Sequence, residues 1–222
     1  MKLELKNITL GYKGSPPLCS IAGASVVSGH SVALVGRNGV GKSTLLRSLA
    51  GIAAPRGGEI LLDGVSMMRL TPIERSRIVS FVSTEITQTA YMNVAQIVAL
   101  GRAPYCGWAG RLTAADRQIV SRAMESVCVT QFADRTIDTL SDGQRQRVMV
   151  ARALAQDTSI VVLDEPTAFL DWENRELVIK LLADLAVQTN KIIIFSTHER
   201  DLAIRYASHV WQLSPRGIEI DL

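Results

Sequence analysis

Gly36-Arg37-Asn38-Gly39-Val40-Gly41-Lys42-Ser43 is the stretch whose reading decides the fold. It consists of a glycine, four residues, then Gly-Lys-Ser. The run before it, Ser31-Val32-Ala33-Leu34-Val35, reads as a buried strand, and Ser43 to Ala50 reads as a helix. A strand, a glycine-rich turn and a helix in that order make a phosphate cradle. Successive backbone N–H groups point into the turn, and the helix N-terminus adds partial positive charge. Such a cradle lets Lys42 reach the β- and γ-phosphates of a nucleotide and lets the Ser43 hydroxyl ligate Mg²⁺. A glycine-rich loop can match this spacing by chance, but the flanking strand and helix favour the cradle.

Outward from the cradle, residues 2 to 10 alternate polar and apolar and read as a strand. Residues 18 to 27 read as a second strand, with Ser28-Gly29-His30 as a hairpin turn. Beyond the cradle helix, Glu59 to Leu62 form a short strand that turns at Asp63-Gly64. Thr71-Pro72-Ile73-Glu74 is a capping box with proline at the first helical position. Ile78 to Val82 read as a buried strand.

From about residue 90 to 155 the period becomes helical. Val94, Ile97, Val98 and Leu100 mark one helix. Thr113 caps a longer one, with a stripe of Ile119, Val120, Ala123, Met124 and Val127. Gly101 to Trp108, between them, reads as a loop. Ser159 to Leu163 and Lys191 to Ser196 are apolar strands, 173 to 187 an amphipathic helix, and 200 to 206 a short helix. Strands and helices alternating around a phosphate loop predict an α/β fold with a largely parallel sheet. The helical stretch predicts a subdomain inserted into it.

The 222 residues suffice for one domain with a full core. A net charge of +3 with scattered arginines gives no argument for a nucleic-acid partner. Cys19, Cys106 and Cys128 are dispersed and lack metal-ligand spacing, so reduced thiols in a cytoplasmic protein are expected. The N-terminus has no signal-peptide core, and no apolar run approaches ~18 residues. The mean hydropathy of +0.19 is compatible with a partner surface or simply a well-filled core.

Asp164 and Glu165 follow an apolar strand, and strand C-termini line the ligand crevice of a parallel sheet. Asp164 is thereby a candidate to hold Mg²⁺ opposite Ser43, and Glu165 to orient or deprotonate an attacking water. The bland reading, a surface turn before Pro166, is weakened by the phosphate loop. His198 follows the next strand and should emerge on the same edge, within reach of a γ-phosphate. Asp171 reads as a helix cap, a role that leaves room for a second task. Leu140-Ser141-Asp142-Gly143-Gln144 opens a helix, and Ser141 with the exposed N–H groups makes a second anion site. One phosphate loop does not need two such sites unless the second serves another copy.

On these motifs the chain resembles the ATP-binding subunits of ATP-binding-cassette (ABC) transporters. Gly36 to Ser43 correspond to the Walker A loop, Leu140 to Gln144 to the signature, and Ile160 to Glu165 to Walker B with its glutamate. Asp171 corresponds to the D-loop and His198 to the switch histidine. The motifs span nearly the whole chain, and the signature between Walker A and Walker B is specific to this family. The resemblance implies a P-loop NTPase core with an N-terminal antiparallel β subdomain and an inserted helical subdomain, all within one nucleotide-binding domain, residues 1–222. It implies ATP bound by Gly36, Arg37, Asn38, Gly39, Val40, Gly41, Lys42, Ser43 and Thr44, with Tyr12 stacked on adenine. Ser141, Gly143, Gln144 and Asp171 would act on the nucleotide of a second copy, arranged head to tail. Lys42, Glu165 and His198 would be catalytic. The partners implied are a polytopic permease on the inner face of a cell membrane and, indirectly, an external solute-binding protein.

A narrower resemblance, to importers of ferric siderophores, haem and vitamin B12, rests on Ala99 to Tyr105, Gly110 to Thr113, Asp116-Arg117 and Thr197 to Ala203. An importer of another small solute such as a metal ion, a permease-free ABC protein acting on nucleic acid, and a poorly active switch module are the competing readings. No regulatory domain is expected after the last strand. Two positions depart from the family. Asp142 stands where the signature has glycine, which brings negative charge near a phosphate site or caps the helix. Thr84, followed by Glu85, stands where the family has a glutamine that contacts Mg²⁺, so Thr84 or Glu85 is expected to serve the metal with Ser43 and Asp164.

Overall fold

The computed structural model describes residues 1–12, 14–83, 91–107 and 110–221. Thr84 and Glu85 lie outside them. In chain order come β1 (Lys2–Leu10), β2 (Cys19–Val27), β3 (Ser31–Val35), α1 (Lys42–Leu49), β4 (Gly57–Leu62), β5 (Val65–Ser66), α2 (Pro72–Ser76) and β6 (Val79–Val82). The helical stretch holds α3 (Val94–Ala99), α4 (Ala114–Ser126) and α5 (Asp142–Ala155). Then follow β7 (Ile160–Leu163), α6 (Trp172–Thr189), β8 (Ile192–Ser196), α7 (Arg200–Tyr206), β9 (His209–Ser214) and β10 (Gly217–Asp221).

Two sheets result. An antiparallel one has the order β2-β1-β4-β5, and a six-stranded one has the order β10-β9-β3-β8-β7-β6. All neighbours in the second sheet are parallel except β10 on β9. The inner strands are apolar on both faces, as a covered parallel sheet requires. On β8, Ile192 and Ile194 join the core shared with the antiparallel sheet, while Ile193 and Phe195 join the core under the helices. All four are fully buried.

Ser28-Gly29-His30 is not a hairpin turn. It carries the chain from one sheet to the other: β2 pairs with β1, whereas β3 lies between β8 and β9. The reason is in β3 itself, every residue of which is buried, a pattern satisfied only inside a sheet covered on both faces. Gly101 to Tyr105 also differ from the expected loop, forming most of a 3₁₀ helix, Leu100–Tyr105. Gly101 permits this, since a β-carbon there would meet the Arg152 carbonyl oxygen at 2.3 Å.

The helical stretch is fastened to the sheet along a seam of side chains on carbonyls. Arg77 donates to the Pro104 carbonyl through Nε (3.3 Å) and Nη2 (3.1 Å). The Gln156 amide donates to the carbonyls of Ser76 (2.6 Å) and Val79 (3.3 Å). Within the helical stretch itself, Arg102 donates to the Ala155 carbonyl at 3.0 Å and stacks 3.9 Å over the Tyr105 ring. Its Nε donates to Asp116 Oδ1 at 2.8 Å in a buried pair.

Asp116 closes the Thr113 capping box, accepting from the Thr113 hydroxyl at 2.6 Å and its N–H at 2.9 Å. These bonds, and then Arg102, hold its carboxyl down to about 2. A depressed carboxylate contributes stability that is full above its unfolded value of about 3.9 and is lost as pH falls toward 2. Asp116→Asn is therefore expected to lower the melting temperature at pH 7. The gap to the parent should narrow between pH 4 and pH 2. A gap that stays constant in melts across that range contradicts the assignment.

Candidate functional site

The cradle forms because β3 ends at the sheet edge and the chain must reverse into α1 within six residues, 36–41. Gly36 makes the reversal possible: its φ is 156°, and a β-carbon would meet the Leu213 carbonyl oxygen at 2.6 Å. Gly41 caps α1 from the left-handed region (φ 111°) and leaves the helix N-terminus without a side-chain cap. The first N–H groups of α1 thus face the cradle rather than a capping side chain.

Lys42 is buried and folds back over the loop. Its Nζ donates to the Gly36 carbonyl at 2.8 Å and to that of Arg37 at 3.4 Å. Burial pushes its ammonium down from the usual lysine value, opposed by the carboxylates of Glu165 and Asp164. Around it opens a cleft of about 470 Å³. Tyr12, Leu18, Asn38, Gly39, Gly41, Lys42, Ser43, Thr44, Glu165 and His198 line it. Arg37 is exposed on the loop and Val40 is buried beneath it. Tyr12, 63% exposed, stands at the rim with its ring free to be covered.

The carboxylates arrive from the parallel register of β7 and β8, which sets Leu163 beside Phe195. Asp164 is buried just past β7, and its N–H donates to the Val82 carbonyl at 2.8 Å. Ser196 Oγ donates to Asp164 Oδ1 at 2.9 Å and accepts from the Glu165 N–H at 2.7 Å. Glu165 has a φ of 48°. Its Oε1 lies 2.9 Å from His198 Nε2. The two groups nominated separately from the sequence are thus hydrogen-bonded to each other at the cleft wall.

The signature residues are elsewhere. Ser141 caps α5, accepting from the Gln144 N–H at 3.3 Å, while Gln144 Oε1 accepts from the Ser141 N–H at 3.1 Å. Asp142 does not cap. It pairs with Arg145 one turn on, which offsets its charge within the helix. Gly143 is buried against α6: a β-carbon there would meet Asn174 Oδ1 at 2.9 Å. Asp171 caps α6, accepting at 2.9 Å from both the N–H and the side-chain amide of Asn174. Among the described residues, Ser141, Gly143, Gln144 and Asp171 do not line the cleft.

Three neighbours escaped the sequence reading. Leu18 lines the cleft from just before β2, where nothing in the sequence marks it apart from other leucines. Arg175 donates to the Leu170 carbonyl at 2.6 Å and to Glu199 Oε1 at 2.5 Å, tying the segment before Asp171 to the one after His198. Ser196 is the third. Its signal was a hydroxyl closing an otherwise apolar strand two residues before His198.

A parallel sheet with a glycine cradle at one strand end and Asp-Glu at another defines a phosphate-loop nucleoside triphosphatase. Within that class, the profile of the ABC transporter family matches residues 22–168, and the chain belongs to that family. The petrobactin import ATP-binding protein FpuD of Bacillus anthracis is 35% identical over 216 residues, 97% of this chain and 79% of the relative. The ferric enterobactin transport ATP-binding protein FepC of Escherichia coli is 35% identical over 209 residues, 94% of this chain and 77% of the relative. The dimeric ATP-binding cassette MJ0796, solved in a post-hydrolysis state with ADP and phosphate, superposes with a TM-score of 0.82. It is 25% identical, over 99% of this chain and 97% of that one. The chain is an ATP-binding subunit that hydrolyses ATP to power transport.

Proposed function

We propose that this chain is the ATPase of an importer of ferric siderophores, working as a head-to-tail pair against a polytopic permease on the inner face of a cell membrane. The observation that carries the pairing is the separation of two anion-binding ends. The cradle at α1 and the Ser141 end of α5 do not share the cleft, so each cleft needs the signature of a second copy. The solute class is supported by the relatives named for petrobactin and ferric enterobactin. Among the described residues no helix is long and apolar enough to cross a membrane.

In this reading the loop N–H groups and Lys42 bind the phosphates, and Tyr12 covers the adenine. Glu165 takes a proton from the attacking water as that water bonds to the γ-phosphorus and the bond to ADP breaks. His198 holds Glu165 and the γ-phosphate together. Ser141, Gly143 and Gln144 of the second copy close over the nucleotide, and Asp171 lies at the joint. The Ser43 hydroxyl, which lines the cleft, and the Asp164 carboxylate, buried just past β7, are hard oxygen donors, a set that suits Mg²⁺. Ser43 and Asp164 would hold that ion, which neutralises charge on the phosphates.

The test is uptake. Cells lacking this chain should lose accumulation of radioiron supplied as a ferric siderophore, and the parent gene should restore it. Undiminished accumulation from every siderophore the parent cell can use would refute the importer reading.

A further inference from the structure

Ser196 closes β8 and is fully buried. The four residues before it are apolar, so its hydroxyl is set into an otherwise apolar strand end. Both directions of that hydroxyl are used. A backbone N–H can only donate, so the oxygen accepts from Glu165 (2.7 Å) and the hydroxyl proton must go to Asp164 Oδ1 (2.9 Å). One side chain therefore spans two successive acidic residues, holding the carboxylate of the first and the backbone of the second.

Geometry makes the second contact matter. Glu165 sits at φ 48°, a left-handed conformation unfavourable for a residue with a β-carbon, which persists only where its surroundings enforce it. The bond from its N–H to Ser196 anchors the peptide that enters this turn. The turn in turn aims the Glu165 carboxylate at His198 Nε2, 2.9 Å away. The neighbouring Thr197 N–H is fixed on the Leu34 carbonyl at 3.1 Å, in the strand that leads into the cradle. Ser196 is thus held by the sheet while it holds both carboxylate residues.

We propose that Ser196 is a positioning residue for ATP hydrolysis, setting Asp164 and Glu165 as one unit without touching the nucleotide. This rests on the roles given above to Asp164 and Glu165. A reacting group misplaced by about 1 Å can cost ~100-fold in rate, while nucleotide affinity depends on the cradle. Ser196→Ala in the full chain is expected to lower kcat about 10- to 100-fold. Affinity for a fluorescent ATP analogue, measured in EDTA, should stay within about threefold of the parent. Equal losses in kcat and affinity, or a kcat within twofold of the parent, overturn the proposal. If Ser196→Ala melts below the assay temperature, Ser196→Cys, of similar size and a weak donor, is judged by the same criterion. Glu165→Gln is measured in parallel. Normal turnover there refutes the role of Glu165 itself, whereas normal turnover in the Ser196 variant alone refutes only this inference.

Discussion

Glu165→Gln is expected to bind ATP with near-parental affinity and to lose turnover by about 10²- to 10⁴-fold, the usual contribution of a positioned general base. The change is nearly isosteric and keeps a hydrogen-bonding partner 2.9 Å from His198, so the cleft wall should stand. What disappears is a basic oxygen able to accept a proton from water. The loss belongs in kcat, because the loop N–H groups and Lys42, to which the proposed function gives phosphate binding, are untouched. A single-turnover assay beside an equilibrium binding measurement separates the two quantities. Parental turnover in the variant would show that another group activates water. Slow turnover combined with slow binding would mean that the substitution had disturbed the cradle.

Lys42→Ala should fail differently, with binding and turnover falling together. Its ammonium is the buried cation of the cradle, and hydrogen bonds to charged groups contribute about 1.5–3 kcal/mol, so ATP affinity should drop by ~10- to 100-fold. Turnover should fall by about a further 10²- to 10³-fold, since charge developing on the phosphoryl oxygens would lose the counter-charge that the proposed function assigns to Lys42. The side chain also holds the Gly36 carbonyl at 2.8 Å, so a small decrease in melting temperature accompanies the loss. Titration with ATP and a thermal melt give both readings. Retained affinity with lost turnover would make Lys42 a group that acts only in the transition state.

The cradle was legible because its requirements are local: glycines to reverse the chain, a lysine and a serine at fixed offsets, a strand before and a helix after. The caps at Thr71 and Thr113 were legible for the same reason, each being decided within four residues. Ser28 to His30 were misread because a hairpin turn and a passage between sheets have the same local chemistry. What distinguishes them lies outside the three residues: the all-buried β3 and its distant partner, Ile193 opposite Ser31. Asp142 offered two readings, and the answer came from Arg145, a side chain free to reach either way. The bond between Glu165 and His198 joins residues 33 positions apart through the register of two strands, which no spacing rule encodes. The contacts of Ser196 depend on that same register.

The seam between the helical stretch and the sheet has a consequence for how this sequence can drift. At Pro104, Ser76 and Val79 the accepting atom is a main-chain carbonyl, which every amino acid supplies. The accepting atom at those positions therefore survives a change of side chain. The two donors, Arg77 and Gln156, have no such freedom, because reach and donor geometry belong to the side chain. Tolerance at this joint is therefore one-sided, and a survey of random substitutions should find its sensitive positions on the donating side.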